Sequence, residues 1–341
     1  MSGCLNDKHP YNHSMNRSLK TFGLVSAGLM LAFGRYPVSW LVSSKNRSAS
    51  PKRLRSTDQR YIKSPTGNTL YVEIEGRESA QPLVLIHGLN GSREQWFYQR
   101  TMLRNSYRLI IVDLPGHGKS PAPASLAVKD LAKDLAAIVS ALSLNKPILY
   151  GHSIGAMMVM EYSSTYPNDV KAMILQHCSY TNPYTTCQAS WLIQYLQEPV
   201  IRPYLEYSKK HPLLFRVLTR LNYMNGLSIL FHRYIFFKGE QSASQLRFIS
   251  RIAAFCPPEV TAEGLLRCAD FEISARLKKI TAPCLVIGAA DDRLTKAYAG
   301  KHIAKNVKRG EYALVEGGHL SLIEHADKVN DLVAGFLARN K

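Results

Sequence analysis

From about residue 61 onward, short apolar runs alternate with stretches in which apolar residues return every three or four positions. TLYVEIEG (69–76) alternates apolar with polar and stops at glycine, as a half-buried strand does. PLVLIHG (82–88) and YRLIIVDLPG (107–116) are unbroken apolar runs closed by glycine or proline, the form of strands covered on both faces. KPILYG (146–151), VKAMILQHC (170–178), CLVIGA (284–289) and YALVEG (312–317) read as further strands. Between them, 126–144 gathers Leu131, Leu135, Ile138, Val139 and Leu142 on one helical face. Helices are also expected over 154–166, around 295–307 and over 327–339. Such alternation predicts an α/β fold, a mostly parallel sheet with helices on both faces.

Two regions depart from this rhythm. Residues 180–268 hold helix-like stretches, many aromatic and basic groups and no clear strand, so they read as a helical insertion. Residues 43–60 (SSKNRSASPKRLRSTDQR) are polar and basic, as a linker is. The expected organisation is a targeting or membrane-anchor segment with its linker over 1–60, a core over 61–179 and 269–341, and a cap over 180–268.

The stretch 21–34 (TFGLVSAGLMLAFG) has no charge, and apolar character resumes after Arg35 and Pro37 through Val42. Residues 22–42 together are long enough for a membrane anchor if Arg35 snorkels, with Tyr36 and Trp40 at headgroup level. The basic, serine-rich, nearly acid-free composition also suits a mitochondrial transit peptide, removed after import. A cleaved secretory signal lacks a clear A-x-A site, and a soluble amphipathic extension is the plain alternative. The anchor is the preferred expectation, and the basic residues that follow it would keep the folded domain on the cytoplasmic side.

The formal net charge is +18, and residues 1–57 contribute nine basic side chains against Asp7 alone. With no zinc-finger or RNA-recognition pattern beside it, this excess points to targeting or an anionic membrane surface rather than nucleic acid. The six cysteines form no CxxC pair, so buried thiols in a reducing compartment are expected, with a Cys178–Cys187 disulfide left open.

The candidate chemistry centres on YGHSIGAMM (150–158). Gly151-x-Ser153-x-Gly155 falls between a strand and a helix, where a tight turn would expose the serine. A serine nucleophile needs a base, and the base an orienting acid. His319 of GGH (317–319) follows the last strand, and Asp291 and Asp292 follow the strand before it. Asp291 is the preferred acid, with Asp292 its rival one residue on; His325 is the rival base. The backbone amides of Ile154 and Leu89 are the expected oxyanion donors. His87, His117 and Asp113 are expected to order glycine turns, and His152 to shape the elbow or pocket.

HGLNGS (87–92), DLPGHGKS (113–120), GHSIGA (151–156), GAADD (288–292) and EGGHLSLIEHADKVNDLVAGFL (316–337) together resemble the α/β-hydrolase-fold serine hydrolases of the esterase/lipase-like group. The resemblance spans about 61–341. It implies a triad of Ser153, Asp291 and His319, a cap over 180–268, no cofactor or metal, and an acyl ester or otherwise hydrophobic small molecule as substrate. The layout is similar to membrane-anchored monoacylglycerol lipases. Lactonase, thioesterase, C–C hydrolase and cofactor-free peroxidase chemistry use the same frame, and a low-turnover binding receptor or scaffold is the alternative outside catalysis.

Overall fold

A computed structural model describes residues 23–45 and 49–340. Helix α1 covers 23–33 and α2 covers Arg35–Leu41. The core then runs β1 (Asp58–Lys63), β2 (Thr69–Glu75), β3 (Pro82–Ile86), α3 (Phe97–Leu103), β4 (Arg108–Asp113), α4 (Val128–Ala141), β5 (Ile148–His152), α5 (Ile154–Thr165) and β6 (Ala172–Gln176). Seven helices follow: α6 (Pro183–Thr186), α7 (Ser190–Leu196), α8 (Arg202–Lys210), α9 (Pro212–Asn225), α10 (Leu227–Ile235), α11 (Ala243–Ala254) and α12 (Pro258–Ala269). The chain closes with β7 (Cys284–Ala289), α13 (Ala297–Asn306), β8 (Gly310–Val315), α14 (Ser321–Glu324) and α15 (Ala326–Arg339).

The eight strands form one sheet in the order β1-β2-β4-β3-β5-β6-β7-β8. The pairs β1/β2 and β2/β4 are antiparallel, and the rest are parallel. The unbroken apolar runs of the central strands have a direct cause. Val84 and Ile86 point into one core cluster, Leu83 and Leu85 into the other, so none of these four positions on β3 faces water.

Strand β1 opens with three residues, 58–60, that lie where the pattern suggested linker, and its remainder opens the expected core. Its burial is polar on nearly every position, with Ile62 alone buried, so it carries no clear alternation for a sequence reading to catch. The preceding chain is also held: Tyr98 Oη donates to the Ala49 carbonyl, and Ser56 Oγ to that of Ile74.

The expected anchor spans 22–42, of which residue 22 lies outside the described residues. No helix among the described residues is long and apolar enough to cross a membrane. Between α1 and α2, Gly34 keeps helical dihedrals and bonds to Met30 and Val38, and a Cβ there would collide with the Asn225 carbonyl at the end of α9. Beyond it α2 packs on the insertion: Ser39 is fully buried and accepts from Arg247 at 2.7 Å, and Gln241 donates to the Val42 carbonyl. The Cys178–Cys187 pairing is not made, since both are free thiols.

Candidate active site

Strand β5 delivers Ser153 to the start of α5 in a conformation few side chains adopt, φ 54° and ψ −120°. The glycines beside it are required by contact. A Cβ on Gly151 would lie 2.5 Å from the Gly155 carbonyl oxygen, and one on Gly155 would collide with the Ile86 carbonyl of β3. The elbow is thus wedged between two strands and its own helix. Ile154 opens α5, where an amide lies outside the helical ladder.

The loop after β3 runs directly beside the elbow, since a Cβ on Gly88 would sit 3.2 Å from Ser153 Cβ. Two histidines fix that loop. His87 accepts from Leu114 N at Nε2 and so donates from Nδ1 to the Gly88 carbonyl. His117 accepts from Asn90 N at Nε2 and donates from Nδ1 to Pro115 O. Asp113 accepts the Arg93 and Lys119 amides and pairs with the Arg93 guanidinium at 2.5 Å. Arg93 and Arg100 then meet on buried Glu73. Burial opposes the Glu73 charge, but the two guanidinium groups outweigh it and hold its carboxyl below the ordinary range. This buried network anchors both the 88–93 loop and the 114–120 turn.

The carboxylate that meets His319 is Asp292, not the expected Asp291. Asp292 is fully buried, and its Oδ2 lies 2.9 Å from His319 Nδ1. The Leu294 and Thr295 amides donate to Oδ1 at 2.8 and 3.0 Å, and the Thr295 hydroxyl donates to Oδ2 at 2.7 Å. Burial works against its charge, yet His319, His177 and the Thr295 amide prevail and hold the carboxyl well below the carboxylate range. Asp291 instead points outward, its side chain 45% exposed and 3.3 Å from Lys238 Nζ. The cause is pairing between β7 and β8 that outlasts the strands. Ala290 N donates to Val315 O and Asp291 N to Gly317 O, so the chain turns inward one residue later.

His319 is buried beneath the cavity surface, and its carbonyl accepts from His152 Nε2 at 2.9 Å. Burial, reinforced by His319 and His177, keeps His152 neutral. His325 lies apart, with Nε2 3.8 Å from Glu240. His177, which sequence reasoning passed over, closes the cluster at the end of β6. Tyr150 Oη donates to Gln176 Oε1, leaving the Gln176 amide nitrogen to face His177 Nε2 at 3.2 Å. His177 Nε2 also lies 2.7 Å from Ser321 Oγ, and Nδ1 faces Asp292 Oδ2 at 3.6 Å, too long for a hydrogen bond but close enough to favour the carboxylate. Burial lowers the His177 pKa to about 3. Its position at the carboxyl end of a parallel strand was the available signal.

Glu324 was also missed. Its buried carboxylate accepts the amides of Lys238, Gly239, Glu240 and Gly318, tying the segment after α10 to the His319 loop. No local pattern marks it, because all but one of its partners come from a distant part of the chain.

Ser153, His319, Leu89 and Ile154 line one cavity of about 530 Å³ between the sheet and the α6–α12 helices. Its walls are mainly apolar, among them Met157, Ile193, Ile235, Phe236 and Ile249. Among the described residues the lining holds no carboxylate, and Arg293 is its one fixed cation. A separate surface trio, Glu240, Glu316 and His325, brings donor atoms within 4.8 Å of one another but stands outside this cavity.

Residues 81–198 match the family described as alpha/beta hydrolase fold. Over 284 residues the chain is 28% identical to a proline iminopeptidase of Lactobacillus helveticus, covering 80% of this chain and 95% of that protein. The enol-lactonase structure from Burkholderia xenovorans LB400 superposes with a TM-score of 0.68 at 20% identity, over 82% of this chain and 100% of that one. A thermophilic esterase from Thermogutta terrifontis gives 0.66 at 20% identity, over 83% and 99%.

Proposed function

For this chain, an α/β-hydrolase-fold hydrolase, we propose the hydrolysis of carboxylic esters with an apolar acyl group through a Ser153–His319–Asp292 triad. The observation that carries the reading is the buried Asp292–His319 pair at 2.9 Å, with His319 and Ser153 lining the same apolar cavity. Asp292 holds the Nδ1–H tautomer, leaving Nε2 free to take the Ser153 proton. Ser153 Oγ then attacks the ester carbonyl, and the Leu89 and Ile154 amides receive the negative charge that develops on its oxygen. Each such donor is worth about 3–4 kcal/mol of barrier. The imidazolium returns its proton to the leaving alcohol. Water, deprotonated by His319, then cleaves the acyl-serine and releases the acid.

The wall chemistry favours an acyl ester or lactone over a peptide with a free amino terminus, because a substrate ammonium would meet Arg293 and, among the described residues, no carboxylate. Labelling with a fluorophosphonate, followed by turnover on p-nitrophenyl esters of graded chain length, tests the reading. Labelling and turnover should both disappear in Ser153→Ala. A folded Ser153→Ala protein with wild-type turnover would refute it.

A further inference from the structure

Three segments far apart in the chain bring donor atoms together beside the His319 loop. Glu316 follows β8, His325 stands between α14 and α15, and Glu240 lies between α10 and α11. One donor atom from each lies within 4.8 Å of the other two. His325 is the unusual member. Its side chain is only 9% exposed, and its Nε2 is buried without a hydrogen-bond partner, facing Glu240 Oε2 from 3.8 Å. A buried ring nitrogen in that state needs a physical reason. Packing holds the ring there: Gly317 (φ 100°) passes so close that a Cβ on it would lie 2.7 Å from His325 Cδ2 and 3.1 Å from Nε2. The backbone around the trio is fixed as well. The Glu324 carboxylate accepts the Glu240 and Gly318 amides, so one side chain sets the spacing between the insertion and the chain that follows β8.

We propose that Glu240, Glu316 and His325 bind a divalent transition ion of the zinc type, which clasps the His319 loop to the helical insertion. The donor set selects the ion. An imidazole nitrogen suits zinc and its neighbours, whereas calcium and magnesium take oxygen ligands. Two carboxylates balance the charge of the ion, and three protein ligands leave a fourth position to water. Zinc bonds to imidazole and carboxylate are about 2.0–2.2 Å, so the donors must close by roughly 1 Å. His325 is the fixed point, and the two exposed glutamates can make that movement. Lys328, 2.8 Å from one Glu316 oxygen, is itself exposed and would share that carboxylate with the ion. Glu316 and His325 bracket 317–324, the stretch that carries His319. Glu240 belongs to the insertion, whose Phe236 lines the cavity. An ion held by all three joins the loop of the proposed base to the cavity's roof.

The site does not depend on the reaction proposed above, and one experiment separates them. The full-length protein, stripped with EDTA, is titrated calorimetrically with zinc chloride, calcium chloride and magnesium chloride, and its melting temperature is read with each. The wild type should bind zinc, and zinc at about 100 times its Kd should raise the melting temperature by about 4 °C. Calcium and magnesium should bind more weakly. Glu240→Gln/Glu316→Gln, and separately His325→Gln, should each lower zinc affinity at least about tenfold, since even the outer partners of a metal site are worth about that. The glutamate pair sits at exposed positions, so it decides the matter even where the His325 variant fails to fold. Turnover of the metal-free double variant on p-nitrophenyl acetate should stay within about twofold of wild type, since neither glutamate lines the cavity. A wild type that ignores zinc would overturn the proposal. So would zinc binding that survives the double exchange, which would place the ion elsewhere on the chain. Tighter binding of calcium than of zinc would overturn it too, since the imidazole would then not be a ligand. A chain that binds zinc here yet hydrolyses no ester would leave this site standing and remove the reaction.

Discussion

Replacing Asp292 by asparagine isolates what the carboxylate does for His319. The two oxygens have different partners: Oδ1 accepts the Leu294 and Thr295 amides, and Oδ2 accepts from His319 Nδ1 and the Thr295 hydroxyl. Asparagine has one oxygen to place. At Oδ2 it would turn its NH₂ against two backbone N–H groups, stranding buried donors at about 1–3 kcal/mol each. At Oδ1 it keeps both backbone bonds, and the NH₂ faces His319. The imidazole must then accept at Nδ1 and carry its proton on Nε2, where it can no longer take one from Ser153. The charge that would stabilise the imidazolium is lost too. In a triad of this design the same exchange lowers kcat about 10⁴-fold, or about 5–6 kcal/mol of barrier. The expected result is a loss of that size on a soluble p-nitrophenyl ester, with a thermal melt close to wild type. Asp291→Asn touches only an exposed pair with Lys238 and should change kcat less than about twofold. A folded Asp292→Asn protein within about tenfold of wild type, or a larger loss from Asp291→Asn, would refute the reasoning.

Three further outcomes follow from the same contacts. Burial lowers the pKa of His177 to about 3 and of His232 to about 4, and holds His87 and His152 well below the ordinary value. Below an unfolded pKa of about 6.5 the unfolded chain gains protons that these groups refuse, so each removes up to about 1.4 kcal/mol of stability per pH unit as pH falls toward its folded value. His117, raised in the fold despite its burial because Cys256 and the Pro115 carbonyl favour its proton, opposes them singly. The melting temperature should therefore drop steeply between about pH 6.5 and pH 4, and a flat profile there would contradict the assignment. Gly155→Ala should leave little folded protein in a solubility and circular-dichroism assay, because its methyl meets the Ile86 and His87 carbonyls, which are backbone and cannot rotate away. Glu324→Gln puts an amide group among four N–H donors and should cost about 2–4 kcal/mol, read as a lower urea midpoint; an unchanged midpoint would deny the carboxylate that role.

The sequence by itself determined the elements whose physics is local. A strand buried on both faces must be apolar throughout, so β3, β4, β5, β6 and β7 were visible as runs. A serine forced to φ 54° between two strands must have glycine where a Cβ would strike backbone, so the elbow was visible as GHSIGA. The order of strand ends then put a histidine and two adjacent aspartates in reach. Tertiary structure decided the rest. Asp291 and Asp292 are chemically the same residue one position apart, and only the pairing of 290–291 with β8 turns Asp292 inward. His177 and Glu324 depend on partners far along the chain, which no window of sequence contains. The N-terminal stretch reads as one apolar run because hydropathy does not register that Gly34 fits against Asn225 and Ser39 against Arg247. Those contacts divide the run into a helix held by the protein and a helix left exposed.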